Sequence, residues 1–376
     1  HLIRQIVIST AQVSNVAGRS LFDPAVGTNA IFNEPTMIKY SRDGTYALIA
    51  DKSNHLIRKY TVSTGLVTTL AGYSYGYADG VGTNSLFYNP YGLSISPDGT
   101  YALIADSSNN RIRQIILSTS SVTTIAGGSS SGSTNGVGTN ALFNYPYDAC
   151  ISLDGSYALN VDYLNHQIRK IIISTLTVTL FAGNPSGSAS GSTNGVGSNA
   201  QFYYPRDIVI TPNGTALVAD SSNHQIRLIT LSTASVSLLA GSTSGNVDGV
   251  GSNAKFYSPN GIDISSNGNY ALIGDYNNNQ IRKIIISTAT TTTLAGQSTS
   301  GYVDGVGSNV RFSQLWGVAI SPSGNSALVT DSYNNRIRQV ILSTTSVSTL
   351  AGGGSLYGNV DGVGYNAKFY NPSGLS

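Results

Sequence analysis

The sequence repeats itself at a spacing of about 55 residues, and this periodicity limits the folds open to the chain more than any other feature. An Ile-Arg pair recurs through the 376 residues. The arginines of these pairs are Arg4, Arg58, Arg113, Arg169, Arg227, Arg282 and Arg338. A fixed repeat of this length is typical of solenoids, propellers and other arrays. The chain is therefore predicted to fold as a series of similar units.

Each unit is predicted to form four short strands, which we call A to D. In the clearest copy they span residues 93–96, 101–105, 112–117 and 122–126. The A–B connection carries Asp-Gly or Asn-Gly, dipeptides that supply the positive φ of tight hairpin turns. Its copies are Asp43-Gly44, Asp98-Gly99, Asp154-Gly155, Asn213-Gly214 and Asn267-Gly268.

Four antiparallel strands repeated about seven times predict an all-β fold, a β-propeller of four-stranded blades. Seven blades are favoured and six are the alternative. Residues 1–376 are predicted to form a single propeller. Strands B and C are expected to be central and buried in each blade.

The placement of rare residues supports the repeat. Of nine Phe, seven share one repeat position before strand A, where a buried ring would anchor each blade: Phe32, Phe87, Phe143, Phe202, Phe256, Phe312 and Phe369. Six of eleven Pro lie three residues later and preset the entry into strand A: Pro35, Pro90, Pro146, Pro205, Pro259 and Pro372. Leu315 stands in the remaining copy.

Composition excludes several classes of protein. Charged residues make up 10% of the chain and the net charge is +2, so no strong field would attract nucleic acid or an anionic membrane. The one cysteine, Cys150, excludes an intrachain disulfide framework and a cysteine-based zinc site. No apolar stretch is long enough to cross a bilayer as a helix. We therefore predict no nucleic-acid binding, no membrane insertion and no cofactor.

One segment resembles the NHL repeat: Ile104-Ala105-Asp106-Ser107-Ser108-Asn109-Asn110-Arg111-Ile112. The run from Phe87 through Pro90 to Gly92 is also similar, and so are Asn54-His55-Leu56, Asn165-His166 and Asn223-His224. The resemblance extends over all seven units and implies a propeller. NHL propellers are protein-binding, RNA-binding and carbohydrate- or matrix-associated modules, and the peptidylglycine lyases use the same fold. Here the units are longer than is usual, because a Gly/Ser-rich linker joins strand D to the next strand A.

An Asp and an Arg recur in the pattern Asp-x-x-Asn-x-x-Ile-Arg. We predict that Asp and Asn hold the B–C turn through backbone N–H groups while Arg braces a neighbouring segment. The alternative is a charged ring that recognises a ligand. The copies are Asp51 and Arg58, Asp106 and Arg113, Asp162 and Arg169, Asp220 and Arg227, Asp275 and Arg282, and Asp331 and Arg338.

Neither histidines nor acidic loops predict a metal site. The four histidines share one repeat position on four different units, whereas a metal or catalytic site gathers ligands onto one point; they are His1, His55, His166 and His224. Each Asp-Gly-Val-Gly loop offers one carboxylate, from Asp79, Asp248, Asp304 or Asp361. Other units have Asn135, Asn194 or Pro24 there, and calcium needs several converging oxygens, so we interpret these loops as turns.

Tyrosine is the residue in excess, with 23 copies. Tyrosines among Ser, Gly and Asn make adaptable binding surfaces, although packing between blades would equally explain them. The candidate ligand-binding residues follow the Phe anchor and are Tyr88, Tyr145, Tyr203, Tyr204, Tyr257 and Tyr370. Further tyrosines, such as Tyr73, Tyr75 and Tyr77, lie in a linker. The sequon Asn213-Gly214-Thr215 predicts N-glycosylation at Asn213.

These features favour a non-enzymatic, extracellular or cell-surface propeller module with a structural, assembly or adhesive role, as the repeating unit of a filament. The alternative is a soluble propeller that binds glycans or a protein through its Tyr-rich linkers. The expected partners are other copies of the chain or neighbouring propeller modules, with glycans or another protein as the alternative.

The ends of the sequence suggest how such a filament would form. Strand A is present seven times, ending with Gly374-Leu375-Ser376, and strand C seven times, beginning with Leu2-Ile3-Arg4, but strand B only six times. We expect the seventh blade to be split between the ends and to lack strand B. The missing strand would come from a longer chain, as in covalent tandem propellers, or from a neighbouring copy by strand addition. A closed six-bladed propeller with leftover strands is the alternative.

Overall fold

The computed structural model describes residues 35–351, apart from residues 42, 44, 62, 65, 322 and 335, together with four short strands outside that range. The described residues form β-strands and three-residue 3-10 turns, with no α-helix among them. Consequently, no helix in this part of the chain is long and apolar enough to cross a membrane.

The strands follow the repeat. Strand A corresponds to β4 (Pro35–Tyr40), β9 (Pro90–Ile95), β14 (Pro146–Ile151), β19 (Pro205–Ile210), β24 (Pro259–Ile264) and β29 (Leu315–Ile320). Strand B corresponds to β5 (Tyr46–Asp51), β10 (Tyr101–Asp106), β15 (Tyr157–Asp162), β20 (Thr215–Asp220), β25 (Tyr270–Asp275) and β30 (Ser326–Asp331). Strand C corresponds to β1 (Ile3–Val7), β6 (Leu56–Thr61), β11 (Arg111–Ile116), β16 (Gln167–Ile172), β21 (Gln225–Thr230), β26 (Gln280–Ile285) and β31 (Arg336–Ile341).

Strand D corresponds to β2 (Gln12–Ala17), β7 (Leu66–Ala71), β12 (Ser121–Ala126), β17 (Thr177–Ala182), β22 (Ser235–Gly241), β27 (Thr290–Gly296) and β32 (Ser346–Ala351). A two-residue strand in each linker was not predicted, and its copies are β3 (Ala25–Val26), β8 (Gly80–Val81), β13 (Gly136–Val137), β18 (Gly195–Val196), β23 (Gly249–Val250), β28 (Gly305–Val306) and β33 (Gly362–Val363).

The 3-10 turns occupy two repeat positions. One set follows strand B and comprises Lys52–Asn54, Ser107–Asn109, Tyr163–Asn165, Ser221–Asn223, Tyr276–Asn278 and Ser332–Asn334. The other set follows the two-residue strand and comprises Gly82–Asn84, Gly138–Asn140, Gly197–Asn199, Gly251–Asn253 and Gly307–Asn309.

The chain divides into two compact units. Unit 1 comprises His1–Arg4 and Asn15–Phe202, and unit 2 comprises Gln5–Ser14 and Tyr203–Ser376. Unit 1 contains three antiparallel five-stranded sheets, with the orders β3-β7-β6-β5-β4, β8-β12-β11-β10-β9 and β13-β17-β16-β15-β14. Unit 2 contains the run β22-β21-β20-β19 and two five-stranded sheets, β23-β27-β26-β25-β24 and β28-β32-β31-β30-β29.

The prediction of an all-β chain of repeated antiparallel sheets is therefore confirmed, with B and C inside each five-stranded sheet. The observed strand A starts at Pro90 rather than residue 93, because Pro is tolerated as the first residue of a strand. Each two-residue strand pairs with strand D of the following repeat, as when Val81 lies opposite Ser121.

The core lies between successive sheets. Phe143 is fully buried and shares one cluster with Leu103 and Ala105 of one sheet and with Ala158 and Ile171 of the next. Burial of such a side chain contributes roughly 1.5–3 kcal/mol. The equivalent anchors are also fully buried, namely Phe87, Phe202, Phe256 and Phe312. Phe32, Phe369 and Pro372 lie outside the described residues.

The first and last parts of the sequence meet in one short sheet. Within unit 2, Gln12 of β2 lies opposite Val363 of β33, and Val13 lies opposite Gly362. This pairing joins a linker strand to a strand D, as β8 joins β12. The predicted last copy of strand A, Gly374-Leu375-Ser376, lies outside the described residues, so the missing strand B stays a prediction.

Candidate functional site

A buried arginine ties each repeat to the linker before it. In unit 1, one guanidinium nitrogen of Arg113 donates to Asp106 Oδ2 at 2.9 Å and to the Leu86 carbonyl at 2.9 Å. The other donates to Asp79 Oδ1 at 2.8 Å and to the Ala78 carbonyl at 2.7 Å. Both members of the central pair are fully buried. The guanidinium therefore cross-links strand B, strand C and the linker.

The carboxylate of this pair also holds the next loop. Asp106 accepts the backbone N–H of Tyr88 at 2.8 Å and the side-chain amide of Asn109 at 2.9 Å. Burial raises the pKa of Asp106 to about 6, although the charge of Arg113 opposes this rise. The carboxylate is consequently ionised at neutral pH, and it is fully buried.

The same pair recurs in every described repeat. Its members are Asp51 and Arg58 at 3.7 Å, Asp162 and Arg169 at 3.0 Å, Asp220 and Arg227 at 2.9 Å, Asp275 and Arg282 at 2.9 Å, and Asp331 and Arg338 at 2.7 Å. All of these side chains are buried. The Asp106 carboxylate accepts from Tyr88 of the preceding linker, and Asn109 donates to the Gly76 carbonyl, so in this repeat these bonds reach the linker rather than the N–H groups of the B–C turn.

The Asp-Gly-Val-Gly loops supply a hydrogen-bond acceptor to the same arginine. Asp79 accepts from Arg113 at 2.8 Å, and Asn135 Oδ1 accepts from Arg169 at 2.9 Å. An amide oxygen serves as well as a carboxylate, which explains why Asn replaces Asp in this loop. Within the described part of the chain, no group of three or more His, Cys, Asp or Glu could hold a metal ion. Asp361 and Pro24 lie outside the described residues.

The histidines sit where the chain turns with positive φ. His55 has φ +63°, and its Nδ1 accepts the backbone N–H of Asn89 at 3.2 Å. Asn110 has φ +56° at the same position, and its Oδ1 accepts the N–H of Tyr145 at 2.8 Å. Partial burial lowers the pKa of His55. Asn and His tolerate this left-handed conformation better than most residues, and both provide an acceptor. Either residue can therefore occupy this repeat position. His1 lies outside the described residues.

The predicted ligand-binding tyrosines that the structure describes are divided between the two units. Tyr88 is 41% exposed in unit 1, and Tyr257 is 45% exposed in unit 2. Tyr203 and Tyr204 stack in unit 2 with ring centroids 4.9 Å apart. Tyr145 is partly buried with φ +56°. Tyr370 lies outside the described residues.

An aromatic patch forms in unit 1, and we define it as His55, Tyr75 and Tyr88. Tyr75 is 70% exposed, and its ring centroid lies 6.0 Å from that of His55 and 5.9 Å from that of Tyr88. His55 and Tyr88 are also in T-shaped contact at 5.6 Å. A linker and a loop far apart in sequence thus present one aromatic surface. Large aromatic groups exposed together are typical of interaction sites.

A second aromatic group was missed from the sequence. The rings of Tyr91 and Tyr147 lie 3.9 Å apart with their hydroxyls hydrogen-bonded, and Tyr163 lies 5.2 Å from Tyr147. Tyr91 and Tyr147 each follow the proline that opens strand A. The recurrence of tyrosine directly after this proline was the sequence signal that could have predicted the pair.

The predicted glycosylation residue is accessible. Asn213 is exposed in the turn before β20, and its side-chain amide lies 3.5 Å from the Gly268 carbonyl. Thr215, the third residue of the sequon, is partly buried.

Comparison with known proteins connects this arrangement to a repeat family. The NHL repeat matches residues 202–227 and 312–340. The chain is 30% identical over 281 residues to Protein SUPPRESSOR OF QUENCHING 1, chloroplastic, from Arabidopsis thaliana, a match that covers 71% of this chain and 26% of that protein. It is 28% identical over 335 residues to NHL repeat-containing protein 2 from Homo sapiens, covering 81% of this chain and 46% of that protein. The chain thus spans less than half the length of these relatives.

Solved structures share the architecture at low identity. A streptogramin B lyase has a TM-score of 0.59 at 12% identity, covering 90% of this chain and 86% of that one. An auxiliary nutrient binding protein from Bacteroides thetaiotaomicron has a TM-score of 0.54 at 16% identity, covering 87% and 80%. A chain of a nidogen/laminin complex has a TM-score of 0.52 at 13% identity, covering 80% and 91%. At these identities the likeness shows the fold alone, and it is consistent with a β-propeller.

Proposed function

We propose, from the premise that this chain belongs to the NHL-repeat family, that it is a non-enzymatic, protein-binding scaffold whose aromatic patch contacts the partner. The repeat's ionisable residues support this proposal. The recurring Asp and Arg pair with each other, and pairs such as Asp106 and Arg113 also bond the backbone, so they brace the fold. The exposed aromatic side chains remain available for contact.

The proposal depends most on the exposed side chain of Tyr75. It is the most exposed aromatic residue of the patch, and it occupies a repeat position that is Ser in four other linkers, namely Ser131, Ser190, Ser244 and Ser300. A serine there is enough for the fold of those repeats. The ring of Tyr75 therefore adds contact area rather than stability, and tyrosine is among the residues that dominate protein interfaces.

The proposal is tested by replacing Tyr75 with the residue that the other repeats carry. Tyr75→Ser is expected to fold like the parent chain and to weaken partner capture by about thirtyfold, the loss typical of an interface hot spot. The control is Tyr257→Ser in unit 2. Tyr257 occupies the repeat position of Tyr88, and the exposure of these two tyrosines is similar. Proteins cross-linked in native extract and identified by mass spectrometry should be lost only with Tyr75→Ser. Equal capture by both variants would refute the role of the patch.

The finer proposal is an extracellular or cell-surface assembly module, in which the partner is another copy of the chain or a neighbouring module. Two features support this finer proposal: charged residues make up only 10% of the chain, and the sequon at Asn213 is exposed. A nidogen/laminin complex among the structural neighbours shows that a related fold takes part in a protein complex. Electron microscopy of native material should then show strings of propeller-sized beads bearing a glycan at Asn213. Discrete single particles recovered only from inside cells would contradict this finer proposal.

A further inference from the structure

A two-residue loop joins each buried Phe to the strand A that follows it, and we call it the anchor loop. Its second residue lies in the left-handed region of backbone space, which residues with a side chain disfavour. Bonds from the surrounding structure therefore have to hold the loop in this conformation. The residues concerned and their φ values are Asn89 at +51°, Tyr145 at +56°, Tyr204 at +48°, Ser258 at +55° and Gln314 at +54°.

In two anchor loops an asparagine of the preceding repeat provides such a bond. The backbone N–H of Tyr145 donates to Asn110 Oδ1 at 2.8 Å. The backbone N–H of Gln314 donates to Asn279 Oδ1 at 2.7 Å. An amide oxygen accepts a hydrogen bond at every pH, because the side chain of asparagine does not titrate. These two loops are therefore held independently of pH.

Two other anchor loops depend on a histidine at the same repeat position. The N–H of Asn89 donates to His55 Nδ1 at 3.2 Å, and the N–H of Ser258 donates to His224 Nδ1 at 3.1 Å. A backbone N–H can only donate, so both rings are neutral in this arrangement. Once a ring is protonated, both of its nitrogens are donors and Nδ1 can no longer accept. Acid should therefore break these two bonds and spare the two that asparagine makes.

The titratable groups that face these histidines do not restore the lost bond. The rings of Tyr75 and Tyr88 lie 6.0 and 5.6 Å from that of His55, and tyrosine remains neutral near pH 6. Burial lowers the pKa of His55, and the Lys52 carbonyl opposes this decrease by accepting a hydrogen bond. His224 contacts Tyr257 at 5.5 Å, and burial lowers its pKa as well.

The carboxylate under the same loop does not drive its opening. Asp106 accepts the N–H of Tyr88 at 2.8 Å, and a protonated carboxyl group still has an oxygen that accepts. Because burial raises the pKa of Asp106, uptake of a proton there favours the folded form. Asp162 makes the equivalent bond to the N–H of Asn144, in an anchor loop held by asparagine. The effect of this carboxylate is therefore common to both kinds of loop.

We propose that His55 is an acid-sensitive latch, and that protonation of its ring releases the Tyr88–Asn89 loop and takes the aromatic patch apart. Tyr88 belongs to the patch and precedes the released residue, so opening of the loop separates its ring from Tyr75 and His55. His224 is the same latch for the Tyr257–Ser258 loop in unit 2. The inference rests on the proposed function only for its consequence, which is release of the partner at mildly acidic pH.

Amide hydrogen exchange at single-residue resolution tests the latch without a partner. If the ring takes up its proton only after release, with a pKa of about 6.5, the protection factor of the Asn89 N–H should fall by about thirtyfold between about pH 7.4 and about pH 5. The Ser258 N–H should respond in the same way. The N–H groups of Tyr145 and Gln314 are internal controls, and their protection should change by less than about threefold, because asparagine accepts from them.

The chain itself supplies the variant that removes the switch. His55→Asn copies Asn110, which has φ +56° where His55 has +63°, so the loop should keep its bond and lose its response to acid. Protection at Asn89 should then be equal at both pH values, while Ser258 still responds. His224→Asn should show the reverse, and it tests the latch even if His55→Asn misfolds.

Two results would overturn the latch. One is a protection factor at Asn89 that does not change with pH in the parent chain, and the other is an acid response that persists in folded His55→Asn. Partner capture by cross-linking should fall in acid for the parent chain and not for His55→Asn, and equal capture by both in acid would refute control of the patch. Absence of specific capture even at neutral pH would refute the proposed function alone, since hydrogen exchange decides the latch separately.

Discussion

At the residue scale, the two carboxylates that contact Arg113 should differ sharply in their contribution to stability. Asp106 is fully buried, whereas the side chain of Asp79 is 44% exposed. Asp106→Asn removes the buried countercharge and is expected to lower the free energy of unfolding by about 3–5 kcal/mol, measured by urea denaturation at pH 7. Asp79→Asn should cost about 1 kcal/mol or less, because Asn135 already makes the equivalent contact. Similar losses for both variants would contradict the assignment.

A second residue-scale prediction concerns the A–B turn. Asp154 accepts the hydroxyl of Ser152 at 2.6 Å and the N–H and hydroxyl of Ser156 at 3.0 and 2.8 Å, and these bonds lower its pKa from 3.8 to about 2. Between these values the folded chain binds fewer protons than the unfolded chain, so the stability that Asp154 contributes is present above about pH 4 and is lost as pH falls towards 2. Asp154→Asn keeps the acceptor, as Asn267 does, and should abolish that contribution.

The carbon-13 carboxyl shift of Asp154 gives the direct measurement. It should titrate with a midpoint near 2 in the folded chain. The difference in unfolding free energy between the parent and Asp154→Asn should change only across the acidic window. A midpoint near the usual value of 3.8 would show that these hydrogen bonds do not form in solution.

At the element scale, one glycine permits strand D to leave the sheet. Gly127 has φ +104°, and a Cβ on it would lie 2.4 Å from the Asn110 carbonyl oxygen, so the linker and the B–C turn touch through backbone. Gly127→Ala should cost about 3 kcal/mol or more in thermal or urea unfolding. Gly99→Ala is the matched control, because its φ is +71° but nothing lies within 4 Å of the added carbon; it should cost about 1–2 kcal/mol. Equal losses would mean that conformational strain, not the close approach, determines the effect.

Elements whose signals are local could be predicted, and those that depend on neighbours could not. Strands A to D follow from apolar runs bounded by turn dipeptides such as Asp98-Gly99, which lie within one repeat. The strand Gly80–Val81 has only two residues and acquires its identity by pairing with β12 of the next repeat. Likewise, the contact of Tyr75 with Tyr88 depends on the path of the linker.

At the scale of the whole molecule, the pairing of β2 with β33 should protect the backbone N–H groups at the edge of β2 from hydrogen exchange. It joins Gln12 to Val363, whereas the equivalent pairing of β28 with β32 joins Val306 to Ser346 of the following repeat. Proline has no N–H and interrupts a ladder, so Val363→Pro should detach β33 and leave the outer edge of β2 unpaired, while β2 stays paired with β1. Val306→Pro should detach β28 from β32 in the same way and leave β2 unchanged. Hydrogen exchange followed by mass spectrometry should show faster exchange at residues 12 and 13 with the first variant alone. Unchanged protection of those residues in Val363→Pro would show that the two strands do not pair in solution. Protection lost there while sheets such as β8-β12-β11-β10-β9 remain protected would show that the repeats keep their structure without this pairing.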